Sequence, residues 1–295
     1  GARTLVCMKH VGLNVAADPL FTAAYTGVNG GLVIVAADDP GMHSSQNEQD
    51  SRYYARAAHI PCLEPSTSQE AKDYVKLAFE ISEQYDTPVI LRMTTRVSHS
   101  RGLVELGERE NVPLKDYEKD FNKYVMMPGM AKARHRVVEA RENQLAEDCN
   151  ASPVNQVFKK DRKIGVITAG LPFQYTLQAL PEASVLKIGM VYPLPMETIQ
   201  AFAKTVDRLI VIEELEPLME KDIKAAGIPC EGKDLFTIQG EYSTNMIKKA
   251  VLGISEDGIA PAAGVAAGVC ERIGRHRPPC PAAREYAKHS HAPSK

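Results

Sequence analysis

Apolar residues recur along this chain in short runs that end abruptly in polar loops. Residues 4–8, 32–36 and 89–93 are largely aliphatic or β-branched stretches with the length and composition of buried strands. The first runs into MKHVGLN and the second into DDPGMHSSQNEQDSR. Between the runs the period changes to that of an amphipathic helix: Ala71, Tyr74, Val75, Ala78 and Ile81 fall on one face, and Ser66 with Gln69 predicts a capping box ahead of them. Asp18 followed by Pro19 predicts an N-cap and first helical residue for PLFTAAYT, closed by Gly27 and the pair Gly30 and Gly31. Strands alternating with helices predict a parallel α/β sheet.

The alternation lapses after residue 98. Residues 99–162 are charge-rich, with one amphipathic stretch near 131–148 and a turn signal at Met127-Pro128-Gly129, and they read as a connector wrapped on the surface. A second α/β unit follows over 163–252, where KIGVITAG, 185–191 and 208–212 read as strands and 196–205 and 216–226 as helices. Residues 253–295 shift to alanine, proline, glycine and arginine without sustained period, the composition of a disordered tail. The expected organisation is thus 1–98, a connector 99–162, a second domain 163–252, and the tail.

Composition narrows the classes of function. With 295 residues, 44% hydrophobic, 24% charged and a formal net charge of −2, the chain is long enough for two domains and lacks the basic footprint that nucleic acid or an anionic membrane demands. No apolar stretch approaches the ~20 residues needed to cross a bilayer, and GARTLVCMKH lacks the layout of an export signal, so a cytoplasmic location is expected. The six cysteines contain no C-x-x-C pair and read as free thiols.

The polar loops hold the candidate chemistry, because ligands of open parallel sheets bind outside the carboxyl ends of the strands. Lys9 and His10 stand at such an end, before Gly12 and Asn14 turn the chain into a helix. Two readings are open on spacing alone: a lysine that anchors a carboxylate beside a histidine that donates or shuttles protons, or a solvated strand-end charge beside a histidine satisfied by backbone. In the second loop Ser45 and Glu48 fit a capping box. His43, Ser44, Gln46 and Asn47 exceed what that cap needs, and a helix N-terminus facing the loop would offer amides to an anionic ligand or cofactor edge. Asp38 and Asp39 ahead of proline read as a solvated turn rather than a metal site, Arg92 and Arg96 either as a surface pair or as groups that reach an acidic ligand or a partner subunit, and Glu213 and Glu214 as interface or helix-start charge.

Several of these strings are long and uncommon. GARTLVCMKHVGLNVAADPLF, GGLVIVAADDPGMHSSQNEQDSR, PVILRMTTRVSHSRG, ITAG, YPLP and VIEELEP closely resemble the large subunit of the indolepyruvate ferredoxin oxidoreductases, within the thiamine-diphosphate 2-oxoacid:ferredoxin oxidoreductase superfamily. The resemblance implies a partial transketolase-type pyrimidine-binding domain followed by a transketolase C-terminal-like domain. It also implies oxidative decarboxylation of aryl 2-oxo acids such as indolepyruvate to acyl-CoA, with thiamine diphosphate, Mg and iron–sulfur clusters as cofactors, and a smaller subunit and ferredoxin as partners. On it, Lys9, His10 and His43 become candidate catalytic residues, and Gly12, Asn14, Ser44, Ser45, Gln46, Asn47 and Glu48 candidate cofactor-binding residues. The family's pyrimidine module begins earlier and carries a glutamate expected to protonate the cofactor ring, and the family continues into a diphosphate-binding module and a cluster domain. No Gly-Asp-Gly and no cysteine cluster stands here, so the chain is expected to be an internal fragment, inactive alone. Alternatives are a pyruvate or other 2-oxoacid enzyme, and a non-catalytic scaffold of transketolase-like domains.

Overall fold

The computed structural model describes residues 1–254; the expected tail lies outside the described residues apart from its first two positions. The chain runs β1 (Thr4–Lys9), α1 (His10–Val15), α2 (Ala17–Thr26), β2 (Leu32–Asp38), α3 (Arg52–Ala58), β3 (Cys62–Leu63), α4 (Ser68–Gln84), β4 (Val89–Thr94) and α5 (Thr95–His99). It continues with α6 (Phe121–Tyr124), α7 (Pro128–Cys149), β5 (Gln156–Phe158), β6 (Asp161–Ala169), α8 (Gly170–Ala179), β7 (Ala183–Ile188) and β8 (Met190–Tyr192). The last elements are α9 (Met196–Ala203), β9 (Arg208–Ile212), α10 (Leu218–Ala225) and α11 (Thr244–Leu252).

Two α/β sheets result, ordered β1-β2-β4-β3-β8 and β5-β7-β6-β9. Strands joined through helices are parallel, as the alternating pattern predicts, while β8 and β5 sit antiparallel on β3 and β7. The antiparallel edge strands depart from the all-parallel expectation, and β8 shows why. The run expected as one strand over 185–191 is split by Gly189: its first part pairs in the second sheet and its last residues cross to the first. Only glycine fits at the crossing, because a Cβ there would lie 2.5 Å from the Val154 carbonyl oxygen and 2.6 Å from the Tyr74 hydroxyl. The sheets share apolar packing as well. Ile34, Cys62 and Ile90 of the first sheet belong to the same buried cluster as Ile167, Leu186, Ile188 and Val211 of the second.

Local signals were displaced by neighbouring structure in three places. Asp18 is not an N-cap: α1 runs into α2 with only Ala16 between them, so the cap is Ala16 and Asp18 sits in the first turn. The capping box ahead of α4 uses Thr67 and Glu70, one residue beyond the expected pair; Thr67 accepts the Glu70 amide at 3.1 Å, and the Glu70 carboxylate accepts the Ser66 amide at 2.8 Å. Met127-Pro128-Gly129 is a helix start rather than a turn, with Pro128 at the first position of α7. The segment ahead of α7 is held by Asp86, which accepts the Val28 amide at 2.8 Å, Lys123 Nζ at 2.7 Å and Arg134 Nη2 at 3.2 Å.

Thr67→Ala is expected to cost about 1 kcal/mol, read as a lower urea midpoint. Gln69→Ala, at the position the sequence pattern names, is expected to stay within about 0.5 kcal/mol.

Candidate functional site

The carboxyl ends of β1, β2, β3 and β4 point toward the loops that follow β9 in the second half, and charged side chains fill the space between. Arg92, in the middle of the apolar β4, is buried; its Nε meets Asp38 Oδ2 at 2.6 Å and its Nη1 meets Glu64 Oε1 at 2.6 Å. Arg52, at the start of α3, is equally buried; it pairs with Asp50 at 2.6 Å and with Glu213 at 2.5 Å, and donates to the Glu214 and Glu216 carbonyls at 3.0 and 2.8 Å. Five buried carboxyl groups, Asp38, Asp50, Glu64, Glu213 and Glu214, thus surround two guanidiniums. Three of the five are held above the ordinary carboxyl range. Burial pushes Glu214 up to about 7 although it accepts the Tyr242 amide at 2.8 Å, and burial also raises Asp38 and Glu213 against their arginine partners. For Asp50 burial acts in the same direction, but Arg52 and Arg92 together outweigh it and hold the group ionised.

A second knot forms around Asp39. Its carboxylate accepts Ser45 Oγ at 2.6 Å, Thr95 Oγ1 at 2.7 Å, and the amides of Ser44 and His43 at 2.9 and 3.2 Å, with Lys9 Nζ at 3.5 Å. Burial would raise this carboxyl; the hydrogen bonds and Lys9 reverse the sign and keep it well below the usual range. Lys9 Nζ donates in turn to the Ser44 carbonyl at 2.7 Å and hydroxyl at 2.9 Å, while 34% of its side chain remains exposed. On the rim, His43 Nε2 lies 3.2 Å from Glu241, which also takes Arg96 at 2.7 Å, and Glu48 accepts the amides of Gly41 and Gly240 at 2.6 and 2.8 Å. The loop is therefore laced both to the first sheet and to the segment ahead of α11.

Of the candidate residues, Lys9, Ser44, Ser45 and the His43 backbone converge on Asp39, and Glu48 braces the same loop. His10 lies apart: it is buried, its Nδ1 stands 3.4 Å from the Ala37 carbonyl, and its Nε2 has no partner. Gly12 lies within α1. Asn14 accepts the Tyr54 hydroxyl at 2.6 Å, Asn47 accepts Gln49 Nε2 at 2.9 Å, and Gln46 is exposed.

Four expectations are corrected. Ser45 and Glu48 form no capping box, because residues 43–50 are not helical and α3 starts only at Arg52. No free helix start faces the loop, since Asp38 and Asp50 already accept the Ser51 and Arg52 amides at 3.0 and 3.1 Å. Asp38 and Asp39 are buried anchors rather than a solvated turn, and Arg92 and Arg96 are not a surface pair, only Arg96 being exposed. Glu213 does cap a helix, accepting the Met219 and Glu220 amides at the start of α10. Asp50, Arg52, Glu64, Thr95 and Glu241 were not anticipated; an arginine inside the apolar string VILRM was the one local sign of a buried charge pair.

The site is a polar knot at the strand ends of an α/β protein, roofed by the loops of a second sheet. Residues 1–159 match the family described as pyruvate flavodoxin/ferredoxin oxidoreductase, thiamine diphosphate-binding, and residues 155–246 match the indolepyruvate oxidoreductase domain. The chain belongs to the first of these families. It is 41% identical over 270 residues to indolepyruvate oxidoreductase subunit IorA of Methanothermobacter thermautotrophicus, an alignment covering 86% of this chain and 44% of that protein. The chain thus spans less than half the length of the curated relatives it matches. In fold it is similar to a 2-oxoglutarate:ferredoxin oxidoreductase from Magnetococcus marinus, with a TM-score of 0.64 at 15% identity over 84% of this chain and 52% of that one. It is also similar to a split-gene transketolase, with a TM-score of 0.53 at 13% identity over 84% of this chain and 74% of that one.

Removing Arg92 leaves buried carboxylates uncompensated, so Arg92→Met is expected to cost about 3–5 kcal/mol, against under about 1 kcal/mol for the exposed Arg96→Met. Glu214 sets a pH dependence. Below its ordinary pKa of 4.5 the group is protonated in both states; between 4.5 and about 7 only the folded chain keeps the proton, so stability falls as pH rises through this window. Asp38 and Glu213 act in the same direction, whereas Asp39 and Asp50 act only at lower pH. Glu214→Gln is expected to flatten the decline and to be more stable than the parent at pH 8 by on the order of 2 kcal/mol, measured by urea unfolding from pH 5 to 8.

Proposed function

We propose that this chain is the pyrimidine-facing part of the large subunit of a ferredoxin-dependent oxidoreductase that converts aryl 2-oxo acids such as indolepyruvate to acyl-CoA. It would act in the cytoplasm with a smaller subunit, with ferredoxin as electron acceptor and with CoA as co-substrate. The observation that carries this is the knot of Lys9, His43, Ser44 and Ser45 on Asp39, an exposed cation and an exposed imidazole held at parallel strand ends by a carboxylate that stays ionised.

When bound, thiamine diphosphate supplies the carbanion that attacks the ketone and takes up the electron pair left when carbon dioxide departs. The buried, unpartnered Nε2 of His10, the residue after Lys9, is an orphaned polar atom of the kind that a polar heteroaromatic ring would satisfy. No group of three or more His, Cys, Asp or Glu among the described residues is placed to hold a metal ion. The residues present therefore fit the ring end of the cofactor and not its Mg-diphosphate end, which belongs in this reading to the remainder of the longer protein, as do the iron–sulfur clusters.

Lys9 is the carboxylate anchor. Its ammonium is oriented by two bonds to Ser44, stands 3.5 Å from Asp39 and stays partly open to an incoming anion. His43 is the proton carrier, oriented by Glu241. The open side of β1 supports the fragment reading over a free-standing scaffold. Among the described residues β1 pairs with β2 alone, and Leu5, Val6, Val11, Val15 and Phe21 around it are exposed apolar surface that a free-standing domain would cover.

In the full-length protein, Lys9→Met and His43→Ala are each expected to lower kcat/KM for indolepyruvate by about 10²-fold or more with the melting midpoint little changed. Equal losses of activity and stability would make both residues structural. The 295-residue chain alone is expected to show neither thiamine diphosphate binding by calorimetry nor 2-oxo acid-dependent dye reduction; tight binding would overturn the fragment reading.

A further inference from the structure

A cleft of about 490 Å³ opens beside the knot, between the start of α3 and the loops that follow β9 and precede α11. Its apolar walls are Tyr53 and Tyr54 on one side and Leu215 and Ile238 on the other. Its charged lining is of one sign: Glu48, Asp50 and Glu216 are acidic, and no lysine, arginine or histidine is among the lining residues. Such a cavity repels an anion, accepts hydrogen bonds, and presents aromatic and branched aliphatic surface to whatever enters. A flat aromatic ring that carries an N–H or O–H donor satisfies all three conditions.

Two details tie the cleft to the chemistry. The Tyr54 hydroxyl donates to Asn14 on α1, the helix that begins directly after Lys9, and Glu48 links Gly41 of the knot to Gly240 across the cleft mouth. The cleft and the knot are thus successive parts of one loop, the knot carrying the exposed cation and the cleft none. Leu215, moreover, is held against the cleft with φ of 62°, a left-handed conformation that a branched residue rarely adopts. Strain of that kind persists where surrounding structure imposes it, and it concentrates at ligand clamps.

The geometry points to this cleft as the seat of the aromatic group of an aryl 2-oxo acid, with Glu48 or Glu216 accepting the ring's N–H or O–H and Lys9 taking the carboxylate end. The inference rests on the function proposed above and selects aryl over small aliphatic 2-oxo acids for it.

The chain contains no tryptophan, so an indole probe can be followed by its own emission outside the tyrosine band. Indole titrated with the 295-residue chain is expected to bind saturably, to be displaced by p-cresol, and to be indifferent to acetate. Ile238→Asp changes a half-exposed side chain and adds a fourth acidic residue to the wall; together with Tyr53→Ala it is expected to weaken indole about tenfold at an unchanged melting midpoint. In the full-length enzyme Ile238→Asp is expected to raise KM for indolepyruvate while leaving KM for pyruvate unaltered. Absence of saturable binding, or binding that both variants leave intact, would overturn the cleft assignment while the activity itself could still be measured. Conversely, indole binding that the variants abolish, in a full-length protein that oxidises no aryl 2-oxo acid, would keep the cleft and remove the proposed reaction.

Discussion

Two buried arginines organise this molecule, one within its first sheet and one across to the second half. Arg92 rises from the middle of β4 and gathers Asp38 and Glu64 from the ends of β2 and β3, while Arg52 reaches across to Glu213 and to the carbonyls of Glu214 and Glu216. Charges taken out of water at this depth are tolerated only when each finds a partner, and the gain from pairing them rarely exceeds the loss of hydration by much. The network therefore contributes less to net stability than to specificity of arrangement. An apolar substitute could fill the same volume, but it would not dictate which strand ends face which loops.

The site inherits its geometry from that arrangement. Asp38 serves the buried network and the adjacent Asp39 serves the surface knot, so two consecutive residues at the end of β2 divide the polar cavity into a sealed layer and an accessible one. Beneath, carboxyl groups exceed guanidiniums, and burial raises the pKa of Asp38 and Glu214. Above, Asp39 collects enough donors to stay ionised, and in doing so it orients Lys9 and folds residues 43–45 over the strand end. A loop so tightly laced is a preorganised wall. Its exposed cation and imidazole are presented by bonds formed during folding rather than by a ligand, which is the condition for using binding energy in a reaction.

Much of the framework was legible from pattern. The runs that became β2, β4, β6 and β9 are largely apolar, and strand burial in a parallel sheet leaves little choice for such strings; β1 forms from the same kind of string although most of it stays exposed at the sheet edge. Helix α4 was legible for the complementary reason, its apolar residues recurring at helical spacing. Caps were less so, because Thr67 competes with Ser66 over a single residue and the backbone decides between them. The run at 185–191 misled for a sharper reason: nothing in its apolar side chains says that Gly189 carries the strand from one sheet to the other.

What the sequence determined by itself was the main apolar strands and the longer amphipathic helices, the family to which they belong, and the loop in which polar groups crowd a strand end; these depend on contacts between residues near in the chain. Which polar groups are sealed and which are offered was decided by tertiary structure alone. Arg52 and Glu213 are far apart in sequence and within 2.5 Å in space, Glu241 closes on His43 and Arg96 from the other half, and the solvent around Asp38 is removed by a sheet that begins far downstream. Burial of a charge is a property of everything that surrounds it, and no local window contains that information.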